Sequence, residues 1–231
     1  AQRRVGNEHA QHVAARSRPA PGRVGAPDDL EVVRVEPCDR RPHAAERAVA
    51  RFQERGIDVI EIVGRDAAHA RDLVDEAVRR GTDALVVVGG DGFISLALQA
   101  LAHSDIPLGI VPAGTGNDHA REYRLPTGDP AAAADVIVDG RTETVDLGHI
   151  RGADGTTTWF GTVAATGFDS LVSDRVNRMS WPHGRMRYNV AMVAELSQLR
   201  LLPFRLVLDG EREIVAELTL AAFGNTRSYG G

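Results

Sequence analysis

The chain has 231 residues, 43% of them apolar and 26% charged, with a formal net charge of −5. That is one large domain, or one domain and part of a second, with enough apolar material for a real core; wholesale disorder is excluded. The acidic balance speaks against nucleic acid as the partner, and no apolar run reaches the ~18 residues of a membrane span.

Residues 1–29 are rich in Arg, Pro, Gly, Ala and His, show no sustained period, and read as a poorly ordered arm. Their polar start, AQRRVGNEHA, lacks the apolar core of a secretory signal. Leu30 to Val35 reads as a short strand. Pro42 to Gly56 reads as a helix, apolar at Ala45, Ala48, Val49 and Phe52. Asp58 to Val63 is the next strand. Ala67 to Arg80 follows as an amphipathic helix, apolar at Ala70, Leu73, Val74, Ala77 and Val78 and closed by Gly81.

Leu85-Val86-Val87-Val88 is the centre of the chain. Four apolar residues, three of them β-branched, predict a strand buried on both faces. Gly89-Gly90-Asp91-Gly92 then turns the chain, and Phe93 to Leu101 resumes with helical spacing at Phe93, Leu96, Ala97 and Ala100. Leu108 to Val111 repeats the arrangement, running through Pro112 into a second glycine loop, Gly114-Thr115-Gly116-Asn117-Asp118, and a helix-like Ala120-Arg121-Glu122. Asp129 to Asp139 is an Ala-rich helix with Pro130 at its start. Strands alternating with helices from 58 to 139 predict a parallel, doubly wound α/β sheet, with both glycine loops at its carboxyl edge.

After Arg141 the style changes. Glu143 to Leu147, Thr157 to Ala165, Phe204 to Asp209 and Glu213 to Phe223 read as strands, with Asp209-Gly210 as a hairpin signal. One helix, Arg185 to Leu199, interrupts them. The region reads as mainly antiparallel and cut short at Asn225 to Gly231.

The chemistry follows from the loops. A glycine turn between strand and helix leaves main-chain N–H groups free for phosphate and lets a nucleotide approach closely. Every one of the 27 basic residues is arginine. Without lysine there is no P-loop Gly-Lys pair and no Schiff-base chemistry, so phosphate must be met by arginine, main-chain N–H groups or a metal ion. Asp91 is placed to hold Mg²⁺ or orient an attacking hydroxyl. Asn117-Asp118 reads either as polar ligand contacts or as the cap of the next helix. Arg121 reads either as a phosphate fork or as a solvated surface residue. Ser95 reads as a helix-face residue, and the histidines at 9, 12, 43, 69, 103, 119, 149 and 183 show no zinc spacing. The single Cys38 excludes an internal disulfide framework and fits a reducing cytoplasm.

Together, GGDG and PAGTGND resemble the diacylglycerol kinase catalytic family of bacterial lipid kinases, relatives of sphingosine and ceramide kinases. The resemblance continues through TVDLG (144–148), FGTVAATGFDS (160–170) and FGNTRSYGG (223–231), and WPHGRMRY (181–188) looks closest to actinobacterial members. The resemblance implies a Rossmann-like nucleotide domain followed by a mainly antiparallel β-sandwich domain, here truncated. The implied division is an atypical arm over 1–44, an ATP-binding domain over 45–140 and a partial second domain over 141–231. It implies ATP and Mg²⁺ as cofactors, with Asp91 near the metal and the γ-phosphate. The nucleotide loop would be Gly89, Gly90, Asp91, Gly92, Phe93, Ile94 and Ser95, with Gly114, Thr115, Gly116, Asn117 and Asp118 as the second contact.

Three departures stand out. The place of the family's NPxSG-type loop reads Val33 to Asp39, without that motif. Phe93 and Leu96 stand where the family has Thr and Glu. The family's general-base glutamate and structural Mg²⁺ aspartates lie beyond residue 231. The reading is an ATP-dependent lipid kinase acting on diacylglycerol as a cytoplasmic, peripherally membrane-associated protein, with a homodimer left open. The alternatives are another acceptor, sphingoid lipid or NAD, and a non-catalytic nucleotide-binding remnant. Arg175, Arg178, Arg185 and Arg187 around Trp181 read as a membrane-facing patch or an ordinary arginine-rich surface.

Overall fold

The computed structural model describes residues 29–35, 43–167 and 201–227, with positions 172, 175, 176, 178, 179, 190 and 194 between. The chain divides after Thr162 and again after Gly224, so that residues 163–224 form one unit and the chain on either side forms the other.

The first unit is built on strands β1 (Asp29–Val35), β2 (Asp58–Gly64), β3 (Leu85–Gly89) and β4 (Leu108–Pro112), all parallel, in the order β2-β1-β3-β4. β1 is an inner strand of this sheet, so the segment set apart as an arm contributes to it; Leu30, Val32 and Val33 are buried. Three helices cross over from one parallel strand to the next, α1 (Ala44–Glu54), α2 (Ala67–Arg80) and α3 (Asp91–Leu101); β4 is followed by the short α4 (Asp118–Glu122) and α5 (Pro130–Val138). Strand alternation sorts the core into two layers. Val86 and Val88 face one layer with Leu30, Val32, Phe52 and Ala134. Leu85 and Val87 face the other with Val33, Val74, Ile94 and Leu101. Residues of period 2 thus bury both faces of β3, as its β-branched run requires.

The helix ends follow their capping chemistry. Asp66 accepts the His69 N–H at 2.8 Å to start α2, and Gly81, at φ 80°, stops it in the left-handed region that glycine enters freely. Asp129 caps α5 through Ala131 N–H, with Pro130 at the first helical position.

The antiparallel part differs from the sequence reading in detail. Glu143 to Leu147 is not a strand: the Asp146 carbonyl accepts from the Asn225 side chain, and β5 begins at Gly148. β5 (Gly148–Arg151) and β6 (Thr157–Phe160) form a hairpin that stays with the first unit. Gln99 on α3 pins it, accepting the Trp159 N–H at 2.9 Å and donating to the Trp159 carbonyl at 2.8 Å. The run Thr157 to Ala165 therefore splits at Gly161, and β7 (Val163–Gly167) opens the second unit. β8 (Leu202–Leu208) and β9 (Arg212–Leu218) form the expected hairpin, turned by Asp209 and Gly210 at φ 54° and 76°. Glu213 to Phe223 also splits, because β10 (Leu220–Gly224) pairs with β7 instead. The helix read over 185–199 lies outside the described residues.

Replacing Gln99 with Leu removes both bonds to Trp159 and leaves its main-chain groups unpaired, at a cost of about 1–3 kcal/mol. The urea midpoint is expected to fall accordingly, and amide exchange at Trp159 is expected to quicken while the α2 amides keep their protection.

Candidate nucleotide site

β3 and β4 are neighbouring parallel strands in the register Gly89↔Pro112, so their loops leave the same edge of the sheet. The Gly89 carbonyl accepts the Ala113 N–H at 2.9 Å, carrying the pairing one step past the strand ends. The loops then touch main chain to main chain. A Cβ on Gly114 would lie 2.5 Å from the Gly90 Cα, and one on Gly90 would lie 3.0 Å from the Gly114 Cα. Real Cβ atoms do not approach backbone as closely as 2.5 Å, so glycine is needed at Gly114, and at Gly90 a side chain would require the second loop to give way.

Asn117 closes the second loop. It sits in the left-handed region at φ 54°, ψ 44°, which asparagine tolerates better than most residues. Its Oδ1 accepts the Gly114 N–H at 2.9 Å and its Nδ2 donates to the Gly114 carbonyl at 3.0 Å. The bonds run back into the loop; of the two sequence readings, the side-chain cap on α4 is not formed.

Asp91 joins the loops electrostatically. One carboxylate oxygen, Oδ1, accepts the His119 N–H at 3.1 Å and pairs with the His119 Nδ1 at 2.9 Å. Burial pushes the Asp91 carboxyl up, but the His119 ring, with the main-chain N–H groups of His119 and Asp118, outweighs it and brings it down to about 2. Asp91 is therefore ionised, and an ionised carboxylate only accepts, so the His119 Nδ1 carries the hydrogen. The second oxygen, Oδ2, borders Gly116, whose added Cβ would lie 3.1 Å from Oδ2 and 3.9 Å from the Asp118 Oδ1.

The remaining residues of the first loop divide. Gly92 is exposed with open space beside its Cα, and Thr115 on the second loop is exposed too. Asp91 and Gly92 open α3, where first-turn N–H groups have no partner within the helix. Phe93 turns back over Gly89, and Ile94 is buried in the core beneath the sheet, so neither side chain faces the loops. Leu96 packs into the same core. Ser95 lies on α3, where its carbonyl accepts from Gln99. Arg121 is aimed at Asp118, 3.5 Å away, across one turn of α4.

Among the described residues no three His, Cys, Asp or Glu groups converge on a metal. A magnesium carried on nucleotide phosphates needs only one or two carboxylates, and Asp91 Oδ2 and Asp118 Oδ1, which both border Gly116, fit that smaller demand. The sequence reading passed over His119, whose place directly after GTGND was the available signal. It also passed over Gly161, which meets His119 only in the folded chain.

Gly114→Ala is expected to push the loops apart and destabilise the first unit by about 1–3 kcal/mol, read as a lower melting temperature. Asp91 contributes stability in full above about pH 4 and loses it as pH falls towards 2, on the order of 2 kcal/mol. Asp91→Asn is expected to flatten acid denaturation in that window, against a steep loss in the unmutated chain.

Residues 39–150 match the family described as diacylglycerol kinase catalytic domain, and residues 161–231 match the YegS C-terminal NAD kinase beta sandwich-like domain. A curated relative from Mycobacterium tuberculosis, named diacylglycerol kinase, is 70% identical over 188 residues, which is 81% of this chain and 61% of the relative. A protein of Xanthomonas euvesicatoria, named probable lipid kinase YegS-like, is 32% identical over 192 residues, covering 80% of this chain and 61% of its own. A solved diacylglycerol kinase structure from Bacillus anthracis superposes with a TM-score of 0.63 at 22% identity, covering 88% of this chain and 65% of that one, and supports the fold. The chain thus spans about 61% of the length of these curated relatives. It belongs to the diacylglycerol kinase catalytic family, with a nucleotide-type α/β domain followed by the family's β-sandwich-like domain.

Proposed function

We propose that this chain carries the nucleotide site of an ATP-dependent lipid kinase, which transfers the γ-phosphoryl group to the free hydroxyl of diacylglycerol and releases ADP and phosphatidic acid. The observation that carries this reading is the Gly90–Gly114 contact. It brings the glycines of two loops at neighbouring strand tips together, so that main chain is open to a phosphate where side chains would otherwise stand. The name of the Mycobacterium tuberculosis relative supports the diacylglycerol acceptor.

In this reading the N–H groups of Asp91 and Gly92 hold the phosphates at the start of α3, where the helix dipole favours negative charge. Thr115 contributes its exposed hydroxyl from the opposite loop. Asp91, through Oδ2, and Asp118 would hold Mg²⁺, which when bound neutralises charge on the transferred phosphoryl group. Phosphoryl transfer draws its rate from positioning and electrostatics, and the two fixed loops supply positioning. Phe93 and Leu96, which stand where the resemblance implies a hydroxyl and a carboxylate, are absorbed into the core and leave the loop backbone in place. The substrate would bring the protein to a cytoplasmic membrane surface as a peripheral protein. No described helix is long and apolar enough to cross a membrane. The candidate membrane patch falls mainly on residues 181–187, outside the described residues.

The test is transfer of labelled phosphate from ATP to diacylglycerol in mixed vesicles, with sphingosine and NAD as competing acceptors. Diacylglycerol is expected to be labelled first, and Asp91→Asn is expected to lower transfer roughly 100-fold or more. Equal transfer in the variant would remove Asp91 from the site. Labelling of sphingosine or NAD alone would reassign the acceptor, and ATP binding with no transfer to any acceptor would leave a nucleotide-binding domain without catalysis.

A further inference from the structure

Among the described residues, His119 is the buried ring beside the loops. It is 2% exposed, and its Nε2 is buried with no hydrogen-bond partner. The ring is held between the Asp91 carboxylate on one side and Gly161 on the other. A Cβ on Gly161 would lie 2.5 Å from the His119 Nε2 and 3.0 Å from its Cδ2, so no side chain fits there while the ring is in place. The Gly161 main chain cannot easily retreat, because the Asn225 Nδ2 donates to its carbonyl at 3.1 Å and the Asn225 N–H donates to the Thr162 carbonyl at 2.7 Å.

This is a poor arrangement for stability alone. Leaving a buried ring nitrogen unpaired costs about 1–3 kcal/mol, a cost that an apolar side chain at this position would not carry. What the imidazole adds is its other nitrogen. Nδ1 and the His119 main-chain N–H both hold the same Asp91 oxygen, at 2.9 and 3.1 Å. Two donors on Oδ1 stop the carboxylate from turning, so Oδ2 alone borders the glycine loops at Gly116.

We propose that His119 is a positioning residue for phosphoryl transfer: its Nδ1 locks the Asp91 carboxylate with one oxygen turned to the glycine loops, and Gly161 is required to seat the ring. The inference rests on the kinase reading above for what the locked carboxylate does. It does not depend on which lipid is the acceptor.

The test uses the natural gene product with His119→Phe, His119→Asn and Gly161→Ala, reading kcat, the KM for ATP and the melting temperature separately. His119→Phe is expected to lower kcat roughly 10–100-fold, with a modest fall in melting temperature because the Asp91 carboxylate loses its Nδ1 partner. His119→Asn, whose amide can donate from the Nδ1 position, is expected to recover kcat to within about fivefold of the unmutated protein. Gly161→Ala is expected to lower kcat as His119→Phe does and to lower the melting temperature as well, because its Cβ meets the seated ring. The inference is overturned if His119→Phe keeps kcat within about threefold, or if the Phe and Asn variants fall equally and melt early. Should the unmutated protein phosphorylate no acceptor, the kinase reading fails and ¹⁵N spectra of the histidine ring decide the inference. A proton fixed on Nδ1, and released in Asp91→Ala, supports the lock; a ring protonated only on Nε2 refutes it.

Discussion

Two glycine Cα atoms in contact, Gly90 and Gly114, set the geometry on which the rest of the site depends. They meet because β3 and β4 are paired in a register that ends both strands together, and the Ala113 N–H extends that pairing into the loops. Any side chain at either position would hold the loops apart. The core beneath serves this contact: both faces of β3 are packed by helices, so the strand tip has little freedom to shift. An elementary steric limit, no Cβ within about 3 Å of backbone, thereby decides where a phosphate could be met by main chain.

Around that contact the polar groups are concentrated. Of the four buried polar residues among the described ones, three are consecutive: Asn117, Asp118 and His119. Burial of such groups is costly unless they are paired: Asn117 pairs with Gly114 and His119 with Asp91, both towards the glycine loops, and Asp118 with Arg121 across a turn of α4. The result is a fixed carboxylate in a chain that has no lysine to offer phosphate. In the kinase reading, main-chain donors and a held carboxylate would carry what a point charge carries in other nucleotide sites.

Much of the α/β part was legible in the sequence because its signals are local. The bounds of α2 read out to the residue, since Asp66 starts it and Gly81 stops it. β3 read out from three β-branched residues in a row, and the two glycine loops from their composition. The antiparallel part was less legible for an equally physical reason. A period-2 apolar run says that a strand is present but not where it changes partner, so Thr157 to Ala165 and Glu213 to Phe223 each looked like one strand and are two. The division between units likewise falls at Thr162 and not near Arg141, because Gln99 holds the β5–β6 hairpin to α3. The Asp91–His119 pair, 28 residues apart, exists only once β3 and β4 lie side by side.

The most direct measurement of the central claim is amide hydrogen exchange with and without magnesium and ATP. If the two glycine turns clasp a nucleotide phosphate, amides of Gly90 to Phe93 and of Gly114 to Asn117 gain protection together while the β5–β6 hairpin does not change. Protection confined to one turn, or appearing elsewhere with both turns unaltered, would contradict the account.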